Sequence, residues 1–164
     1  MSVREWVSLG VQRLDDSWAD FTYIGEYKAK WEPGVIDRAF DEFSDRIPED
    51  AEPKRYVPCS EYRYFLPYAG GEKPGTADHY TYGLQDYERM EALNRGEWEI
   101  IGLQAKAIFI SEQGVTQEIV SGAIFGVESD SGEQYLKELE QEQLQELRLE
   151  IEGLGLEWPE EMLA

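Results

Sequence analysis

Few residues in this chain of 164 have the chemistry of a catalytic site: there is one histidine, His79, and one cysteine, Cys59. His79 follows Asp78, and a His–Asp pair is the usual core of a general base. Adjacent residues in a loop rarely face each other, however, and no G-x-S-x-G or comparable nucleophile motif accompanies them. An ordinary surface or half-buried histidine is therefore predicted. Cys59 has no second thiol with which to form a disulfide or hold a metal, so a buried inert thiol is predicted.

Two other patterns resemble ligand sites only superficially. Residues 70–76 are rich in glycine, but their lysine precedes the last glycine and a proline removes one amide, so a turn is predicted in place of a phosphate loop. The carboxylates in 15–16, 41–45 and 49–52 lack the alternate-position oxygens and closing glutamate of an EF-hand. They indicate solvated surface. The sequence thus predicts no catalytic residue, no metal and no cofactor, with a carboxylate–metal enzyme as the least favoured alternative.

Charge is the strongest indication of function. The chain holds 35 Asp and Glu against 15 Lys and Arg, a net charge of -20. Such a field repels phosphate backbones and anionic headgroups, so neither nucleic acid nor a membrane is expected as a direct partner. A basic protein, such as a nucleic-acid-binding host enzyme, is the predicted partner class. The single cysteine and the lack of a stretch of ~18 apolar residues predict a cytoplasmic protein without signal peptide or membrane span.

Half of this net charge lies in residues 128–164, which hold 12 acidic and 2 basic residues. Leucines and an isoleucine at helical spacing over 136–154 predict a long C-terminal helix, on which a glutamate recurs every four residues. Like charges at this spacing cost ~0.2–0.5 kcal/mol per pair, so the repeat indicates a use other than stability. The predicted partner-binding residues are Asp130, Glu133, Glu138, Glu142, Glu146 and Glu150.

This glutamate ladder, defined as Glu138, Glu142, Glu146 and Glu150, has rungs ~6 Å apart along the helix. It could imitate the regular charge of a nucleic-acid backbone for a basic groove. The alternative is a solvated acidic face on an amphipathic helix, which needs no function. Polar residues at positions 140 and 143 interrupt the leucine stripe, so the first half of the helix is expected to pack loosely or against a partner.

Aromatic residues provide a second candidate surface. Tyrosines are concentrated over 62–87, but base-stacking platforms come with a basic groove, which this chain lacks. Core packing is the default, and a tyrosine-rich protein interface is the functional alternative. Its candidate residues are Tyr62, Tyr64, Tyr82 and Tyr87.

Periodicity and turn residues predict a single α+β domain over 1–164, with one mixed or antiparallel sheet packed against helices. The predicted elements are a helix over 2–14, a strand over 21–31, an amphipathic helix within 35–55 unless 34–36 extend the strand, a strand over 62–66, a helix over 84–95, a hairpin over 97–127 and the long acidic helix.

Three segments also point to a setting: Glu61-Tyr62-Arg63-Tyr64-Phe65, the run from Tyr82 to Gly96, and the run from Ser121 to Ser131. Together they resemble a group of small uncharacterised proteins carried by bacteriophages and other bacterial mobile elements, over roughly the second two-thirds of the chain. The group has no established activity, so the resemblance implies no catalytic residues. It implies a mobile-element setting, and that setting together with the strongly acidic charge favours a non-enzymatic anti-defence inhibitor that blocks a host nuclease or another defence enzyme. The alternative is a general interaction or assembly module.

Overall fold

The computed structural model describes residues 2–58 and 61–163, so the prediction for Cys59 falls outside the described residues. Strands β1 to β8 are Val3–Asp15, Gly25–Lys28, Ile36–Asp37, Glu42–Phe43, Tyr64–Pro67, Ile100–Ser111, Thr116–Val120 and Ile124–Glu128. Helices α1 and α2 are Ala77–Asn94 and Glu133–Gly153. The α+β class is confirmed.

The predicted single sheet is wrong, because the described strands form two separate antiparallel sheets of four strands each. The contacts of the chain divide it into two compact units, where the sequence analysis predicts one domain. Unit 1 consists of residues 1–19 and 98–164, and unit 2 consists of residues 20–97. Each unit has its own sheet and one of the two helices.

The central strand of unit 1 is β6, which pairs with β1 on one side and with both β7 and β8 on the other. Its alternate residues from Ile101 to Phe109 are buried, as the period of two predicts. The hydrophobic row of α2 packs against this face of the sheet. The predicted hairpin over 97–127 is confirmed for β6 and β7, but its second strand is interrupted at 121–123, where Ala123 adopts a φ of 67°.

The helix predicted over 2–14 is wrong: this segment is strand β1. Its apolar residues Val3, Trp6 and Leu9 are three apart, which resembles helical spacing. Two irregularities in the pairing with β6, between Val3 and Glu5 and between Trp6 and Ser8, shift the register. Each bulge adds one residue to the strand, so residues that are three apart across it lie on the same side. Val3, Trp6 and Leu9 therefore all pack against the same core cluster.

Unit 2 orders its strands β2, β5, β3, β4. The helix predicted within 35–55 is wrong, because Ile36 and Phe43 face each other across the β3–β4 pair. The separation of seven residues between Ile36 and Phe43 equals two helical turns. It also fits two short antiparallel strands joined by a tight turn, in which Asp41 has a φ of 52°. Helix α1 confirms the helix predicted over 84–95 and begins earlier, at Ala77, where the Thr76 side chain accepts a hydrogen bond from the amide of His79.

Among the described residues, neither helix is long and apolar enough to cross a membrane.

Substitution of Gly83 in α1 tests how closely the helix approaches its sheet. A Cβ at Gly83 would lie 2.6 Å from Cζ of Phe43, whereas one at Gly153 in α2 meets nothing within 4 Å. Alanine favours a helix over glycine, yet we expect Gly83→Ala to destabilise the protein by about 1–3 kcal/mol through overpacking. The matched control Gly153→Ala is expected to be neutral or stabilising. Urea denaturation followed by circular dichroism measures both, and equal effects would contradict the close approach.

Candidate functional site

Helix α2 places the glutamate ladder on one exposed row. The buried residues Leu139, Gln143, Leu147 and Ile151 also recur every four residues. Each ladder glutamate comes one residue before a buried position, so the two rows lie side by side, about 100° apart around the helix. All four ladder side chains are exposed. The structure therefore brings these predicted residues together on one solvent-facing row.

No basic group within the described part of the chain lies within the 4.0 Å ion-pair distance of a ladder carboxylate. The two basic residues of α2 pair elsewhere: Lys137 lies 3.0 Å from Glu133, and Arg148 lies 2.8 Å from Glu152. Glu138 accepts a hydrogen bond from the side chain of Gln134. Of the other predicted residues, Glu133 is therefore engaged with Lys137, and Asp130 lies exposed in the turn before the helix.

Unit 1 carries most of the negative charge. It holds 18 acidic and 5 basic residues, a net charge of -13, whereas unit 2 holds 17 acidic and 10 basic residues, a net charge of -7. The ladder costs about 1 kcal/mol for its three pairs of neighbours. Burial of each of the three aliphatic residues in the adjacent row contributes ~1.5–3 kcal/mol. The helix can thus keep an unneutralised row of acids because its buried row stabilises it more.

Gln143 corrects the expectation that the first half of α2 packs loosely. Its side chain is 3% exposed, and its Oε1 accepts a hydrogen bond from Oγ of Ser121 at 2.6 Å. Oγ of Ser121 in turn accepts from the amide of Ala105, and the carbonyl of Ser121 accepts from the side chain of Gln104. Gln12 donates to Gln104 and extends the chain of hydrogen bonds to β1. This polar contact holds α2 at one position on the sheet.

Unit 2 contains a cluster of charged residues that the sequence analysis does not identify. Glu91, 6% exposed, lies 2.6 Å from Nε of Arg38 and 3.0 Å from Nη2 of Arg55. Tyr87 donates a hydrogen bond to Asp41 and accepts one from Arg55. The residues come from three separate parts of the sequence, 38–41, 55 and 87–91, so no local pattern indicates the cluster.

The chemistry of this cluster is that of a structural brace. Burial by itself raises the pKa of Glu91, but the hydrogen bonds and charges of Arg38 and Arg55 more than offset it, and the pKa lies below its ordinary value. Burial and the hydrogen bond to Asp41 raise the pKa of Tyr87. A general acid or base needs a pKa near the working pH, and both groups are moved away from it.

The aromatic alternative loses one of its four residues. Tyr87 is 5% exposed and belongs to the buried cluster, so it offers no contact surface. Tyr62 and Tyr82 are exposed, and Tyr64 is half-buried. The ring of Tyr62 stacks on Tyr27, with 6.2 Å between centroids. The structure does not assemble the four tyrosines into one exposed aromatic face.

His79 is a core residue of unit 2, not the surface or half-buried residue predicted. Its side chain is 2% exposed, packs 5.2 Å from the ring of Phe43, and leaves its Nδ1 buried without a hydrogen-bond partner. Burial lowers its pKa, partly opposed by the charge of Asp45. Within 2–58 and 61–163, no group of three or more His, Cys, Asp or Glu side chains could hold a metal ion.

Comparison of the chain with protein-family models, with curated proteins and with solved structures found no match.

Acid stability tests the burial of His79. Its pKa in the folded state lies below the ordinary value of 6.5, so below about pH 6.5 the unfolded state takes up a proton more readily than the folded state. We expect the free energy of unfolding to fall as the pH drops through this range, and His79→Phe to lose less stability between pH 8 and pH 5. Denaturation at both pH values measures the difference. An NMR titration of the single histidine with a midpoint above 6.5 would contradict it.

The contact between Gln143 and Ser121 can be tested by a double-mutant cycle. Gln143→Leu leaves the Ser121 hydroxyl without its acceptor, and we expect a loss of about 1–3 kcal/mol despite the gain in apolar volume. Combination with Ser121→Ala should show coupling of at least ~0.5 kcal/mol. The control Gln145→Leu, at an exposed position of the same helix, should change stability by less than ~0.5 kcal/mol. Additive effects in the cycle would mean that the contact does not hold the helix.

Proposed function

We propose that this chain is a non-enzymatic, acidic inhibitor that binds the basic surface of a nucleic-acid-binding protein. The glutamate ladder takes the place of the phosphates of a nucleic acid. The observation that supports the proposal is the geometry of the ladder. Four exposed carboxylates lie on one row of α2, and no basic group among the described residues lies within ion-pair distance of them. A solvated helix face built only for stability would interleave lysines with these acids.

The charge density of the ladder sets what it can imitate. Its carboxylates are ~6 Å apart along the helix, and one strand of DNA carries a phosphate every ~3.4 Å. The ladder alone thus has a little over half of that density, and the remaining acids of unit 1, with its net charge of -13, supply the surrounding field. Such a field accelerates association with a basic surface and makes the binding sensitive to salt.

The resemblance to proteins of mobile elements supports a cytoplasmic bacterial setting and a host defence enzyme as the target. A general interaction or assembly module with an aromatic contact surface is the other candidate. Its support is weaker, because Tyr87 is buried and the exposed Tyr62 and Tyr82 do not share a ring contact among the described residues. Binding through tyrosines would also be insensitive to salt, which separates the two candidates.

Neutralisation of the ladder tests the proposal. The variant combines Glu138→Gln, Glu142→Gln, Glu146→Gln and Glu150→Gln. We expect its affinity for the target to fall at least about tenfold at low ionic strength, where exposed charges are least screened, and its dependence on salt to become shallower. The target is first isolated from a bacterial lysate on the immobilised wild-type chain at low salt, and its binding is then measured by titration over a range of KCl concentrations.

A matched control removes the same amount of charge from unit 2 by Glu49→Gln, Asp50→Asn, Glu52→Gln and Glu72→Gln, all at exposed positions. If both variants weaken binding equally, the effect is one of net charge and the ladder has no special role. The isolated target should also bind nucleic acid and lose one ligand when the other is added. A target that binds the chain and DNA at the same time would contradict the proposal.

A further inference from the structure

The exposed side of α2 is not purely acidic. Tyr135 and Leu149 are 52% and 61% exposed, and they are the two large apolar side chains of the helix that face solvent to this extent. Neither belongs to the core clusters under the helix. Single exposed apolar residues are common on protein surfaces and need no explanation. What distinguishes Tyr135 and Leu149 is their position relative to the glutamate ladder.

Tyr135 and Leu149 lie on the same side of α2 as the ladder, Tyr135 before its first glutamate and Leu149 next to its last one. Tyr135 comes three residues before Glu138, and Leu149 comes three residues after Glu146. The spacing along 135–149 is therefore three, four, four and three, which keeps all five side chains on one side of an α-helix. The two apolar residues are 14 positions apart, a separation of ~21 Å along the helix axis. One apolar side chain thus precedes Glu138 and another follows Glu146, with the fourth ladder residue, Glu150, directly after Leu149.

We infer that this mixed row, Tyr135 to Leu149, docks into the groove of a protein that binds single-stranded nucleic acid. Such grooves combine basic residues, which follow the phosphates, with aromatic platforms, on which the bases stack. In the docked helix the glutamates contact the basic residues of the groove. Tyr135 and Leu149 pack against its aromatic platforms. A surface that imitates only the phosphates of a duplex has no use for apolar groups on the same side. The inference rests on the proposed function and specifies the class of its target.

Charge excludes the other occupants of this helix face. A second copy of the chain would bring another unit of net charge -13 against it, and nucleic acid or an anionic membrane would be repelled in the same way. A basic groove is attracted by the same field.

Site-specific photo-crosslinking tests the docking. The full-length chain carries a photoreactive benzoylphenylalanine in place of Leu149 or, as a control, in place of Val115, which is 51% exposed and lies outside α2. Each is irradiated in a bacterial lysate at low salt. We expect an adduct from position 149 and not from 115, with a protein of net positive charge. Oligodeoxythymidine should suppress the adduct more strongly than duplex DNA at the same phosphate concentration.

The inference is overturned if position 149 forms no adduct, if the adduct is with a second copy of this chain, or if the two positions react equally. Stronger suppression by duplex DNA would assign the surface to a duplex-binding protein and would also overturn it. Both positions are exposed to a similar extent, so unequal reaction reflects docking and not access.

The affinity of the purified crosslinked protein then separates this inference from the proposed function. The double variant Tyr135→Ala with Leu149→Ala should bind at least about 30-fold more weakly at low and at high salt, the effect of losing buried apolar anchors. The four-glutamine ladder variant should bind more weakly at low salt only. An unchanged affinity of the alanine variant overturns the inference and leaves the proposed function standing, whereas an unchanged affinity of the ladder variant overturns the electrostatic mimicry on which both depend. Both side chains are exposed, so circular dichroism should show an unaltered fold.

Discussion

The burial of one face of β6 under α2 is the interaction on which unit 1 depends. Strand β6 pairs with β1, β7 and β8, so every strand of this sheet is ordered through it. Its side chains Ala105, Ala107 and Phe109 form one cluster with Leu147 and Ile151 of the helix. Small residues on the strand let the helix approach, and larger ones on the helix fill the space between them. Burial of this apolar side stabilises α2 by more than the repulsion among the glutamates on its acidic side destabilises it.

The two units differ in how their acidic side chains are paired. In unit 2 the acids Asp37 and Glu91 are buried and paired with arginines at 2.9 and 2.6 Å, so their charges are neutralised inside the fold. Buried pairs of this kind fix a geometry more than they add stability, because desolvation offsets most of their attraction. In unit 1 the ladder stays in water and is left without a basic partner among the described residues. Charge that is paired positions the chain, and charge that is unpaired is available to another molecule.

Gln143 is the single polar residue in the buried row of α2. An entirely aliphatic row could slide by one turn along the sheet with little change in burial, since its residues recur every four positions. Gln143 removes that freedom, because only one position satisfies the hydroxyl of Ser121. The position of the ladder along the sheet therefore depends on a hydrogen bond made by the neighbouring buried row of the helix. The proposed binding of a partner by the regularly spaced glutamates requires such a fixed position.

Local patterns determined much of this protein without the tertiary structure. The alternation along β6, the helical spacing in α1 and the four-residue repeat of glutamates are properties of short segments, and each segment adopts the structure that its own period indicates. The tertiary structure decided what depends on contacts between distant residues. The three-residue spacing of apolar side chains in β1 and the seven-residue separation of Ile36 and Phe43 both resemble helical spacing. Only the pairing with another strand shows that these segments are not helices. The cluster around Glu91 and the burial of Tyr87 and His79 likewise depend on packing. A sequence window contains no information on which residues far along the chain will exclude water from a side chain.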